Sequence, residues 1–185
     1  MAVDVVDLIM QDHREVERLF EELRTSPDSR PILLPVLTAL LTAHSRAEEA
    51  EVYPVARDEA GEADEVVHSQ GEHVEADQLL ARLAESDPQS ADFDDVLNEL
   101  VSAVKHHVEQ EETKVLPGMR EQLSDDRRAE LGEAFAASRK QHLGEQPGDI
   151  TKEELVQQAR NAGVPGASSM SKDELAEKLK ASAQE

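Results

Sequence analysis

The sequence predicts an all-α protein, a helical bundle built from a doubled two-helix unit, with a short fifth helix and a small helical C-terminal appendage. Three observations predict it. The stretch HVEQEETKVLP, His107 to Pro117, has an earlier copy in HSRAEEAEVYP, His44 to Pro54, and the two agree as H-x3-E-E-x2-V-[YL]-P, 63 residues apart. A second pair stands upstream, 60 residues apart: Asp12-His13-x-Glu15 runs on to Leu19, Phe20 and Leu23, and Glu72-His73-x-Glu75 runs on to Leu79, Leu80 and Leu83. Around each histidine, apolar residues recur at helical spacing.

The first helix is expected to start near Val3 or Asp4 and to stop before the turn-rich Thr25-Ser26-Pro27. Pro31 suits the start of the second helix, and Pro35 still lies in its first turn, where a missing N–H does little harm. That helix should run to about Ala60, with Gly61 as its stop. Pro54 interrupts it and Pro117 interrupts the fourth, so a kink is expected just past each motif. The third helix covers about Asp64 to Glu85 and ends before Asp87-Pro88. The fourth begins near Asp92 and fades at Pro117-Gly118, after which Ser124 caps a shorter helix to about Lys140.

On a helix His44 and Glu48 lie one turn apart on one face, as do His107 and Glu111. That face is also apolar. Leu37, Leu40, Leu41 and Val55 share it in the second segment, and Val96, Leu97, Leu100, Val104 and Val115 in the fourth. His13 falls in line with Val6, Ile9, Val16 and Phe20, and His73 with Val66, Ala76 and Leu80. A carboxylate in a bundle core costs several kcal/mol unless something pairs with it. Two of them among four histidines call for a cation. A plain bundle with a few polar core residues would need all six groups placed in register in both halves by coincidence. Neutral imidazoles and bridging carboxylates suit iron, manganese or zinc. A structural zinc is saturated by four such groups and leaves two without a partner, whereas a two-metal centre uses all six and keeps open positions.

This arrangement resembles the hemerythrin-like family, the HHE cation-binding proteins, over roughly residues 4 to 140. The family's up-down-up-down four-helix bundles carry H…H-x3-E…H…H-x3-E around a di-iron centre. The resemblance implies His13, His44, Glu48, His73, His107 and Glu111 as metal ligands, holding two iron ions joined by an oxo or hydroxo bridge. Many members have a fifth histidine on the third helix, about one turn from the other, which makes the irons unequal and leaves one open to dioxygen. The candidate here is His68, five residues before His73 where four would align the faces. Gly71 between them would permit an irregular turn or π-bulge that brings His68 in as a ligand. Without one, His68 is a surface or core-edge histidine.

The length of 185 residues suits one ordinary domain plus an appendage, and the core is aliphatic, with three Phe, one Tyr and no Trp. A net charge of −22 disfavours nucleic-acid backbones and anionic membranes, which would repel the chain. Having no cysteine excludes disulfides, thiolate metal sites and thiol nucleophiles. The N-terminal MAVDVVDLIMQDHRE lacks a basic leader, and no stretch approaches the ~20 apolar residues of a membrane span. A soluble, cytoplasmic protein with no membrane partner is therefore expected.

The domain boundaries expected are a bundle over 1–143, a linker over 144–149 rich in Gly and Pro, and a helix-extended-loop-helix module over 150–185. Thr151-x-x-Glu154 and Ser171-x-x-Glu174 are capping-box signatures. Ile150, Leu155, Val156, Ala159, Val164, Leu175 and Leu179 supply a very small core. The segment resembles the SAP and Rho N-terminal modules, which contact nucleic acid in other proteins. Residues 147–185 carry five Lys and Arg against seven Asp and Glu, so nucleic-acid binding is not expected and docking to a protein partner or oligomerisation is.

Among the remaining polar residues, Glu51 lies seven after His44 and hence on the metal face, but its counterpart is Lys114, so a supporting role is expected. Tyr53, matched by Leu116, is expected to pack in the core. Glu17 and Asp77 lie one turn from His13 and His73 and are within reach of the site. The runs Glu48-Glu49 and Glu111-Glu112 should each send one residue inward and otherwise face water, and His106 and His142 should lie outside the ligand set. The function expected is a non-haem di-iron protein binding dioxygen or a related small oxidant for storage or sensing. Two alternatives use the same ligands: an enzyme that decomposes peroxide or handles nitric oxide, and an iron-sensing interaction protein whose C-terminal module reports loss of metal.

Overall fold

The computed structural model describes residues 3–182, and among these all regular structure is helical. Helix α1 (Val5–Thr25) is capped by Asp4, whose carboxylate accepts the Val6 N–H at 2.9 Å. A single 3-10 turn, Pro27–Ser29, leads into α2 (Arg30–Ala47), which continues through a π turn (Glu48–Val52) into α3 (Tyr53–Glu59). Gly61, at φ +79°, reverses the chain into α4 (Ala63–Glu85). Ser90 caps α5 (Ala91–Gln110), which passes through a second π turn (Glu111–Val115) into α6 (Leu116–Gln122). Ser124 then caps α7 (Asp125–His142), which packs against α1 and α2.

The two π turns replace the expected kinks. In a regular helix the ring of Pro54 would clash with the carbonyl of Ala50, and Pro117 with that of Thr113. Widening the turn relieves the clash: the Tyr53 N–H bonds back five residues to the Glu48 carbonyl, and the Leu116 N–H to that of Glu111. The fourth helix therefore does not end at Pro117-Gly118 but runs on to Gln122. The irregular turn that Gly71 would permit does not form, and α4 is regular from Ala63 to Glu85.

Apolar packing forms two layers. One, from Val16, Phe20, Leu37, Leu80, Phe93 and Leu100 among others, fills the end of the bundle near the α1–α2 and α4–α5 connections. The other, from Val5, Ile9, Tyr53, Val66, Val115, Met119 and Phe135 among others, fills the opposite end. All four core histidines lie in sequence between residues of the first layer and residues of the second. A polar belt is thus sealed on both sides by hydrocarbon, whose burial is worth ~25 cal/mol per Å² of apolar surface.

The C-terminal segment forms α8 (Lys152–Asn161) and α9 (Lys172–Ser182), joined by a loop with one 3-10 turn. Both capping boxes are present, at Thr151 with Glu154 and at Ser171 with Glu174. Its small core, Leu155, Ala159, Ala167, Leu175 and Leu179, also takes in Val74 of α4, so the segment lies on the bundle rather than apart from it.

Candidate metal centre

His13, His44, Glu48, His73, His107 and Glu111 all meet in the polar belt, none more than 7% exposed. The imidazole Nε2 atoms point inward. That of His44 lies 3.1 Å from Glu48 Oε2, that of His73 3.3 Å from the same oxygen, and that of His13 3.4 Å from Glu111 Oε2. The Nε2 atoms of His73 and His107 are 3.1 Å apart. Within the belt, two groups have metal-ligand spacing, His13–His44–Glu48 and Glu48–His73–His107. Glu48 is thus the carboxylate common to both groups.

Each histidine is held from behind by a carboxylate on its Nδ1. His44 donates to Asp12 at 3.2 Å, His13 to Glu112 at 2.9 Å, His73 to Glu49 at 3.1 Å and His107 to Glu72 at 3.0 Å. Such bonds fix the tautomer, aim Nε2 at the centre and raise its basicity toward a metal. Three of the four carboxylates are in turn paired with arginine: Asp12 with Arg139, Glu112 with Arg14, and Glu49 with Arg46 at 3.2 Å.

Glu49 and Glu112 correct the expectation that the second acid of each run faces water. Glu49 is only 3% exposed, and Glu112 reaches His13. The π turn is the reason, because its extra residue per turn brings two successive side chains to the inner side. The same turn moves Tyr53 inward. Nine positions after His44 is about half a turn away on a regular helix, yet the Tyr53 hydroxyl donates to Glu111 Oε1 at 3.0 Å and lies 2.9 Å from His73 Nε2. Glu51, placed on the metal face by regular spacing, is half-buried, and among the described residues it makes no hydrogen bond to the site.

The sequence carried a usable signal for the missed residues. An acid precedes both lone histidines, at Asp12 and Glu72, and a second acid follows both ligand glutamates, at Glu49 and Glu112. All four positions repeat with the ligands themselves.

His68 is not brought into the centre. It lies on the outer side of α4, its side chain 55% exposed, 3.2 Å from Glu72. Because α4 stays regular through Gly71, the five-residue spacing from His73 points the two rings apart. Glu17 pairs with Arg14, and Asp77 with Arg46 at 2.6 Å, so neither reaches the ligands. His106 is on the surface, and His142 bonds Glu145 at 3.0 Å outside the site.

The electrostatics show what the protein does without a cation. Burial alone would lower the His44 and His73 pKa values. For His44 the charge of Glu48 and the bond to Asp12 overcome it, and for His73 the nearby carboxylate of Glu48 and the bond to Glu49 do, raising both to about 10. Burial would raise Glu49, but Arg46 first and His73 next hold it down at about 2. Burial, followed by the charges of Glu111 and Glu48, pushes the Tyr53 hydroxyl well above its usual range.

The donor set fits a cation. His13 Nε2, both carboxylate oxygens of Glu48 and Glu111 Oε2 are buried without a hydrogen-bond partner, and all aim into the belt. Leaving one such group unsatisfied costs roughly 1–3 kcal/mol, more when charged. Four in one place are suited to hold a cation. Beside them lies a cavity of about 10 Å³ walled by Val16, Leu41, Ala76, Val104 and Val108 as well as the histidines.

The model of the hemerythrin HHE cation-binding domain matches residues 4–118. The chain belongs to the hemerythrin HHE cation-binding family. A curated relative named as a DNA nickase, from Nostoc sp., is 32% identical over 149 residues. That match covers 78% of this chain but only 42% of the relative, so the chain spans less than half of that protein's length. No solved structure matches. The centre of this HHE domain is accordingly a cation-binding one, assembled between two halves of a repeated hairpin.

Proposed function

We propose that this HHE-domain chain is a non-haem di-iron protein that binds dioxygen or a related small oxidant, in storage or sensing. The observation that carries the proposal is the cluster of orphaned nitrogen and oxygen ligands beside a cavity with room for about one water-sized molecule. Its walls are mostly hydrocarbon, which favours a small, weakly polar guest over a charged substrate. His13, His44, His73, His107, Glu48 and Glu111 would hold the iron pair, Glu48 reaching both ions. Bound iron supplies the electrons that a diatomic oxidant takes up.

The chain's own residues support that reading in three ways. Asp12, Glu49, Glu72 and Glu112 keep the imidazoles aimed, so little reorganisation is needed when a cation or guest arrives. Tyr53 stays protonated and holds its hydroxyl hydrogen against Glu111, inside the belt. The two apolar layers keep bulk water from the site. Iron-loaded protein should show an optical spectrum that changes in air and returns on deoxygenation. Prompt irreversible oxidation, with oxygen evolution from added peroxide, would instead support the peroxide-decomposing alternative, and a spectrum insensitive to both would overturn the oxidant reading. Nitric oxide is tested on the same preparation by the band that appears on its addition.

A sensing role is favoured by one contact in particular. Gln158 and Asn161 of α8 hydrogen-bond Glu49, which holds His73, so the C-terminal segment is in touch with the ligands. The similarity to a DNA nickase raises metal-dependent phosphodiester cleavage as a further reading. A net charge of −22 and a pocket sealed in the bundle interior both oppose a nucleic-acid substrate. Conversion of supercoiled plasmid to the open circle by metal-loaded protein would establish that reading.

A further inference from the structure

The four carboxylates behind the histidines are alike except in what stands behind them. Asp12, Glu49 and Glu112 each meet an arginine. Glu72 meets two further histidines: its Oε1 lies 3.2 Å from His68 Nε2 and 3.4 Å from His106 Nε2. The rings of His68 and His106, one on α4 and one on α5, stand 6.3 Å apart at their centres and nearly perpendicular, at 88°. Glu72 Oε1 is itself buried and has no hydrogen-bond partner. The positive charge supplied by guanidinium at three corners is therefore lacking at the fourth.

We infer that His68, Glu72 and His106 form a third cation site, solvent-accessible and separate from the core pair, for a borderline divalent transition ion such as zinc. One ligand atom from each residue lies within 4.8 Å of the other two, close enough to converge on one ion. Two imidazole nitrogens and one carboxylate oxygen suit such an ion, with water completing the tetrahedron. Both histidines are more than half exposed, at 55% and 58%, so an ion from solution reaches them without opening the bundle. The carboxylate is preorganised because its other oxygen is already fixed by His107 Nδ1 at 3.0 Å. One carboxylate thus joins the outer ion to a ligand of the inner pair, and loading at the surface is felt by His107.

The test uses the full chain with its core first saturated, and zinc as the added ion. Equilibrium dialysis or calorimetry should detect one further equivalent in the parent protein and lose it in the His68→Ala/His106→Ala variant. In the parent, zinc should shift the imidazole NMR resonances of His68 and His106 and, more weakly, those of His107. Glu72 is left intact, and both substitutions lie on the surface, so the variant should keep its helical circular dichroism. Equal zinc uptake by parent and variant would overturn the proposal, as would uptake that leaves the His68 and His106 resonances unmoved. The outcome is independent of the oxidant reading, because an empty or inert core does not remove the surface ligands.

Discussion

Removing the grip of α8 on Glu49 should weaken both the fold and the centre. Gln158 Nε2 donates to Glu49 Oε2 at 2.9 Å, and Asn161 Nδ2 donates to the Glu49 carbonyl at 2.9 Å and to Gln70 Oε1 at 3.1 Å. All four residues are buried. In the Gln158→Ala/Asn161→Ala variant, one charged acceptor loses a donor and two neutral acceptors are left without this one. A hydrogen bond to a charged group is worth ~1.5–3 kcal/mol and an unsatisfied buried acceptor costs ~1–3 kcal/mol, so roughly 3 kcal/mol in total is reasonable after relaxation. For a chain of this length that lowers Tm by about 6–12 °C. The effect on the centre runs through His73. Loss of an outer carboxylate partner typically costs ~10–100-fold in metal affinity, and since Arg46 and Gln70 still hold Glu49, the lower end, about tenfold, is expected. Thermal unfolding followed by circular dichroism reads the first quantity, and competition with a chromophoric chelator the second. A lowered Tm with unchanged affinity would show that α8 merely packs, and no change in either would refute the argument.

Further outcomes follow from the same geometry. Glu48→Gln should lose most bound cation from both halves of the centre, since Glu48 is in both ligand groups; elemental analysis showing one ion retained at full affinity would contradict a shared carboxylate. Chelation should lower Tm by about 10 °C, the linkage expected when ligand stands ~1,000-fold above Kd, and an unchanged transition would mean that the cation contributes nothing to folding. His44 and His73, raised to about 10, are protonated at pH 7 without a cation and neutral with one. Uptake at pH 7 should therefore release about two protons, and affinity should climb as pH rises from 7 toward 10, which calorimetry in buffers of different ionisation heat would detect. Tyr53→Phe deprives Glu111 Oε1 of its hydroxyl donor and should cost about 1–3 kcal/mol, read from denaturant unfolding.

The helices and the six inward-facing histidines and glutamates were legible because two independent periodicities agreed. The apolar stripe gave each helix its inner face, and the repeat put His13, His44, Glu48, His73, His107 and Glu111 on it. Glu49, Glu112 and Tyr53 were not legible from helical spacing, because the π turns change the angular step where they lie, and Asp12 and Glu72 support histidines of a neighbouring helix, a pairing that spacing along their own helix does not show. Regular spacing puts Glu51 on the metal face and Tyr53 about half a turn from it, whereas the widened turn brings Tyr53 to His73 and Glu111 and leaves Glu51 half-buried. Pro54 and Pro117 announced an irregularity, but a kink and a wider turn are alternative answers to one steric clash. For His68 the two readings differed only in whether Gly71 opens an irregular turn, and α4 is regular there, which leaves His68 at the surface. The contact between α8 and Glu49 depends on side chains about 110 residues apart in the chain, which no local pattern encodes.

The two hairpins trade their supports. Glu49, from the first, steadies His73 of the second, and Glu112, from the second, steadies His13 of the first. Neither hairpin owns a finished cage. A chain cut in the turn at Gly61, where the surroundings are open, would give fragments with little hold on iron separately, and mixing them should restore it. Cation capture would then report on whether the two are joined.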